Sequence, residues 1–119
     1  MELSMQDYSQ LIKNLVFLAT KDRSDIITRN IVEGILESRL NIRCAETGLM
    51  IGDAIYSGIS PKAVLINLPG TDVGLYEIID ELAEVIGERN PRMDTDAYKD
   101  QCGLLFEETF SDHDEYEMA

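Results

Sequence analysis

At 119 residues with a formal net charge of −13, the chain fits one domain and carries too much acid to seek nucleic-acid phosphate or an anionic lipid surface. A hydrophobic fraction of 45% excludes a disordered acidic polymer, and no apolar run approaches the roughly 18 residues of a membrane span. The charge is unevenly placed, because residues 1–43 hold six bases and six acids while residues 44–119 hold four bases against seventeen acids.

The chain opens Met1-Glu2-Leu3 with no basic region and no small-residue cleavage site, so no signal peptide is expected. Leu3, Tyr8, Leu11, Ile12, Leu15, Val16 and Ala19 then recur at three- and four-residue steps, the spacing of one helical face. Ser4 is placed to cap this first helix, Asp7 stands at the capping-box position, and Leu3 can staple onto Tyr8. Phe17 and Leu18 widen the stripe beyond what one neighbour can cover.

After the polar turn Lys21-Asp22-Arg23, Ser24 is expected to open a second helix with Ile27, Ile31, Ile35, Leu36 and Leu40 as its buried row. Asp25 and Arg29 are expected on the wet side, with Arg39 and Arg43 at the negative end. The two helices read as an antiparallel hairpin.

Between Ala45 and Ile59, Gly48, Gly52 and Gly58 interrupt an apolar stretch. As a helix it would present the small-residue groove Ala45, Gly48, Gly52; as strands, Leu49–Tyr56 could form a hairpin about Gly52-Asp53. The following "KAVLINL" is equally ambiguous, with Ser60 a candidate cap and Pro61 a candidate first helical residue. The helical reading is adopted for both segments.

The segment Pro69-Gly70-Thr71-Asp72-Val73-Gly74 has the glycines of a phosphate loop, but Asp72 occupies its mouth and the nearest upstream base is Lys62. It is read as a corner. Thr71 or Asp72 then caps a helix whose inner side is Val73, Leu75, Ile78, Ile79, Leu82, Val85 and Ile86, and whose outer side is Glu77, Asp80, Glu81, Glu84 and Glu88. Pro91 stops that helix, and a last one begins near Asp94-Thr95-Asp96 and presents Ala97, Tyr98, Cys102, Leu105 and Phe106.

The expected fold is therefore all-α, a single-domain bundle of about five helices over residues 1–110, followed by an acidic, mobile tail at residues 111–119. The alternative is α+β with a small hairpin near residues 49–56.

Reactive centres are not legible. His113, the one histidine, lies in the tail, and Asp96 to Glu107 fits a calcium loop at its first, fifth (Asp100) and twelfth positions but fails at two required ones, where Tyr98 and Gln101 stand in place of an oxygen ligand and glycine. Cys44 and Cys102 have no metal or redox spacing, and Cys102 shares an apolar face with Leu105 and Phe106. No catalytic, cofactor or metal residue is assigned.

What remains is surface. Glu77, Asp80, Glu81, Glu84 and Glu88 would steer a basic partner protein, and the aromatics Phe110 and Tyr116 would anchor it. The expected function is a small acidic cytoplasmic interaction module that occludes a basic partner, as an inhibitor, immunity or antitoxin-like protein does. An adaptor or secretion-type chaperone, holding a partner segment against Phe17, Leu18 and the Ala45–Gly58 groove, is the alternative, and those surfaces would also suit a homodimer. A carboxylate- or metal-dependent enzyme is the third reading and the least supported.

Overall fold

The computed structural model describes the backbone of residues 1–68 and 72–118, and the side-chain surroundings of residues 1–68 and 74–110. Ser4 sets the first boundary. It ends the short strand β1 (Glu2–Ser4), and its hydroxyl accepts the Asp7 N–H at 3.1 Å, capping helix α1 (Met5–Thr20). A cap of this kind is worth about 1 kcal/mol. The expected row of α1 is buried residue for residue, from Tyr8 through Leu11, Ile12, Leu15 and Val16 to Ala19, and Leu3 joins it from β1. Lys21 ends α1 in the left-handed region at φ 60°, its N–H donating to the Phe17 carbonyl at 2.8 Å.

Helix α2 (Ile26–Arg39) departs from expectation in its cap and in its phase. Asp25, not Ser24, is the cap, its carboxylate accepting the Thr28 N–H at 3.0 Å. Ser24 instead donates to the Asp22 carboxylate. Leu36 and Leu40 are buried as expected, but Thr28 and Val32 complete the row in place of Ile27, Ile31 and Ile35; Ile31 and Ile35 are partly buried and Ile27 is 56% exposed. Both rows are aliphatic apart from Thr28, so periodicity alone could not select between them. Arg29 pairs with Glu33, four residues on, at 2.7 Å.

The helix ends earlier than expected because Asn41 takes a left-handed conformation at φ 49° and the Ile42 N–H bonds back to the Glu37 carbonyl. That is a Schellman closure with asparagine in glycine's usual place. Arg43 consequently lies in strand β2 (Arg43–Cys44) and not in the last helical turn.

Gly48, at φ 73°, turns the chain after β2, and helix α3 (Ile51–Tyr56) follows. The helical reading of the Leu49–Tyr56 region therefore holds, and the hairpin alternative does not. The helical reading of "KAVLINL" is overturned, because Ala63–Leu65 is strand β3. Val64 and Ile66 are buried while Leu65 is 42% exposed, a two-residue alternation. Ser60 and Pro61 thus precede a strand and cap nothing. β3 is the centre of an antiparallel sheet of order β1-β3-β2, with Leu3 and Cys44 both opposite Val64. Those three residues face the core.

Helix α4 (Asp72–Arg89) stops before Pro91, as expected. Its buried row is Ile78, Ile79, Leu82, Ala83 and Ile86, with Leu75 packed against it. Asp94 caps helix α5 (Thr95–Met118) by accepting the Ala97 N–H, and α5 buries Tyr98, Cys102, Phe106 and Phe110. The corner expected at 69–74 includes residues 69–71, which lie outside the described residues. So do the side chains of the expected tail, although α5 itself extends to Met118.

The helices close a ring: α1 packs on α2, α2 on α4, α4 on α5, and α5 on α1. The Asn90 side-chain amide ties the ring across its end, donating to the Ala19 carbonyl at 2.9 Å. The sheet packs on α1 at the ring's margin, with α3 beside β2. Among the described residues the chain is thus mostly helical, with five helices and a small sheet.

Candidate interaction surface

α4 buries one side on α2 and α5, so its opposite side is presented outward. Glu77, Asp80, Glu84 and Glu88 are exposed there, and Glu81 is half-buried at the margin. Glu77 and Glu81, Asp80 and Glu84, and Glu84 and Glu88 stand four residues apart. Each such like-charge pair costs a helix a few tenths of a kcal/mol. This face weakens the fold that carries it.

Two cations of the chain offset part of that repulsion. The Arg39 Nε lies 2.7 Å from a Glu81 carboxylate oxygen, and the Lys99 ammonium lies 3.3 Å from Asp80. The hydrogen bond and charge of Glu81, with Glu77 behind them, hold the Arg39 guanidinium even more firmly protonated than usual. Glu81 is therefore engaged within the molecule and less available to a partner than expected. Among the described residues Glu77, Glu84 and Glu88 make no ion pair.

The two aromatic anchors expected from the sequence are not on this surface. Phe110 is only 6% exposed and stacks on Phe106 with ring centroids 5.7 Å apart, so it is core. Its spacing of four from Phe106 was the available signal. The side chain of Tyr116 lies outside the described residues. Two other aromatics are exposed: Tyr56, 94% accessible at the end of α3 and away from this face, and Tyr76, 64% accessible on α4, adjacent to Glu77 and four residues before Asp80. Sequence reasoning passed over it because it sits inside the apolar run Leu75–Ile79. It is nevertheless off the buried row of that run.

The apolar surplus expected on α1 is also largely covered. Leu18 packs against the core, and Phe17 is half-buried with Arg23 stacked 4.1 Å and Lys21 5.4 Å from its ring centroid. The expected groove of Ala45, Gly48 and Gly52 does not form, since Gly48 is in a turn and Gly52 in the exposed part of α3.

The remaining titratable groups serve the fold. Cys44 is buried and its thiol donates to Glu46 at 2.9 Å, while the other Glu46 oxygen accepts the Lys62 N–H at 2.8 Å. These bonds hold Glu46 below the usual carboxylate range and tie β2 to the approach of β3. Burial pushes the Cys102 thiol up to about 12, the opposite of what a nucleophile needs. Asp96, Asp100 and Glu107 lie along the continuous helix α5, which cannot wrap an ion as a calcium loop does. Among the described residues no three His, Cys, Asp or Glu side chains are grouped to hold a metal.

One cluster was invisible in the sequence. Burial pushes the half-buried Glu37 carboxyl up to about 7, assisted by the negative charges of Glu33 and Asp53. The Tyr8 hydroxyl is buried beside this group and has no hydrogen-bond partner among the described residues.

No family model matches the chain, and neither a curated protein nor a solved structure matches it. Among the described residues no helix is long and apolar enough to cross a membrane.

Proposed function

We propose that this protein is an interaction module of the cytoplasm whose α4 face docks on a basic surface of a partner protein and occludes it, in the manner of an inhibitor, immunity or antitoxin-like protein. The observation that carries this reading is the exposed Tyr76 among Glu77, Asp80 and Glu84 on a rigid helix. An amphipathic ring supplies contact area at low entropic cost, while surrounding carboxylates steer encounter and reject acidic competitors. Repulsion among the acids supports the same reading, because a cationic partner relieves it.

The Tyr76→Ala variant and the wild type, each immobilised and exposed to native lysate at about 0.05 M and about 0.5 M salt, provide the test. The expected result is a basic protein retained by the wild type at low salt, lost at high salt and weakened by Tyr76→Ala. Equal retention by the variant, or retention indifferent to salt, would overturn the proposal.

A further inference from the structure

A groove of about 420 Å³ runs between β1, the first half of α1 and the middle of α5. Leu3, Leu11 and Leu105 line it, together with the carboxylates of Glu2, Asp7 and Glu108, and no lysine or arginine does. One side of this groove is a strand edge. Met1 and Ile66 exchange both backbone hydrogen bonds, at 3.0 and 2.8 Å, and the Met5 N–H donates to the Lys62 carbonyl at 2.9 Å. In an antiparallel ladder the bonded positions alternate, so Met1, Leu3 and Met5 face β3 while Glu2 and Ser4 turn their N–H groups to the opposite edge.

We infer that this groove receives an extended basic segment of another protein, which adds to the sheet as a strand beside β1. The backbone of such a segment satisfies the free edge at Glu2 and Ser4. Its side chains alternate, so one set lies over the partly exposed Leu105 while the other, lysine or arginine, reaches the carboxylates of the groove. The charges also argue against a second copy of this chain as the occupant, since edge-to-edge pairing would bring the same carboxylates of two copies together. The site shares no residue with the α4 face, so it stands whether or not that face binds a partner.

The test uses a fluorescein-labelled peptide Lys-Val-Arg-Val-Lys, its analogue with alternate backbone amides N-methylated on the pairing edge, and the acidic peptide Glu-Val-Glu-Val-Glu. Anisotropy is measured at about 0.15 M salt, where remote charges are largely screened. The basic peptide should saturate the wild type, the N-methylated form should bind about tenfold more weakly, and the acidic form should not bind. The Glu2→Lys/Glu108→Lys double variant, both sites exposed, should lose about tenfold as well, while Asp53→Lys on α3, beside the opposite edge of the sheet, should change affinity less than about threefold. Equal binding of the N-methylated peptide to the wild type would overturn strand addition even if a variant failed to fold. Equal losses from Asp53→Lys and from the groove variant would reduce the effect to net charge and overturn the site.

Discussion

α1 and α4 are amphipathic helices of similar length, 16 and 18 residues, yet their outer sides are built differently. α1 lies in the neutral part of the chain, is capped by Ser4 at one end and closed by Lys21 at the other, and buries a row of six residues. α4 buries an apolar row too, but its outer side repeats carboxylates at like-charge spacing. The first arrangement maximises stability. The second gives some away, at the face proposed to meet a charged partner.

The largest expected effect sharpens this contrast from the α1 side. Leu15 is fully buried, and Leu15→Ala should cost about 3 kcal/mol in denaturant unfolding through lost transfer energy and a residual cavity. A loss below about 1 kcal/mol would mean that α1 is not the structural spine described here.

A middle-sized effect comes from Glu37. Its folded-state value of about 7 lies above its ordinary 4.5, so the folded protein holds this proton more tightly than the unfolded chain does. The stabilisation from protonated Glu37 is complete below the unfolded value and lost as pH rises through the folded one. Because the group is only half-buried, screening reduces the effect to about 1 kcal/mol. Glu37→Gln should therefore be more stable than wild type by that amount at pH 8, with the gap closing towards pH 4.5. Facing groups that set the size of the gap are Glu33 and Asp53, with Tyr8 and Arg29 close by. A gap that does not change with pH would break the assignment.

The smallest effect belongs to α4 itself. Glu84→Gln removes two like-charge contacts, with Asp80 and Glu88, and should raise stability by a few tenths of a kcal/mol at low salt. Added salt should erase the difference.

Local signals in the sequence carried the α1 row, the Ser4 cap, the stop before Pro91 and the start at Asp94. Each is written in residues a few positions apart. The sheet was hidden because it joins Met1 to Ile66, 65 residues away, through strands of two and three residues, too short for alternation to stand out. In α2 two neighbouring apolar rows left the phase of its first half open until tertiary packing chose Thr28 and Val32 over Ile27 and Ile31. The acidic side of α4 was legible from spacing alone, whereas its internal pairing with Arg39 and Lys99 was not, since both partners come from other elements. Phe110 was misplaced at the surface for the same reason: which aromatic is covered depends on the neighbouring helix.

Glu84→Lys tests the central claim most directly when thermal stability and partner capture are measured on the same sample. Lysine at this position faces Asp80 and Glu88 in place of a third carboxylate, so the melting temperature should rise by a few degrees while capture of the basic partner falls at least about fivefold. Unchanged capture, or a melting temperature that falls, would contradict the account.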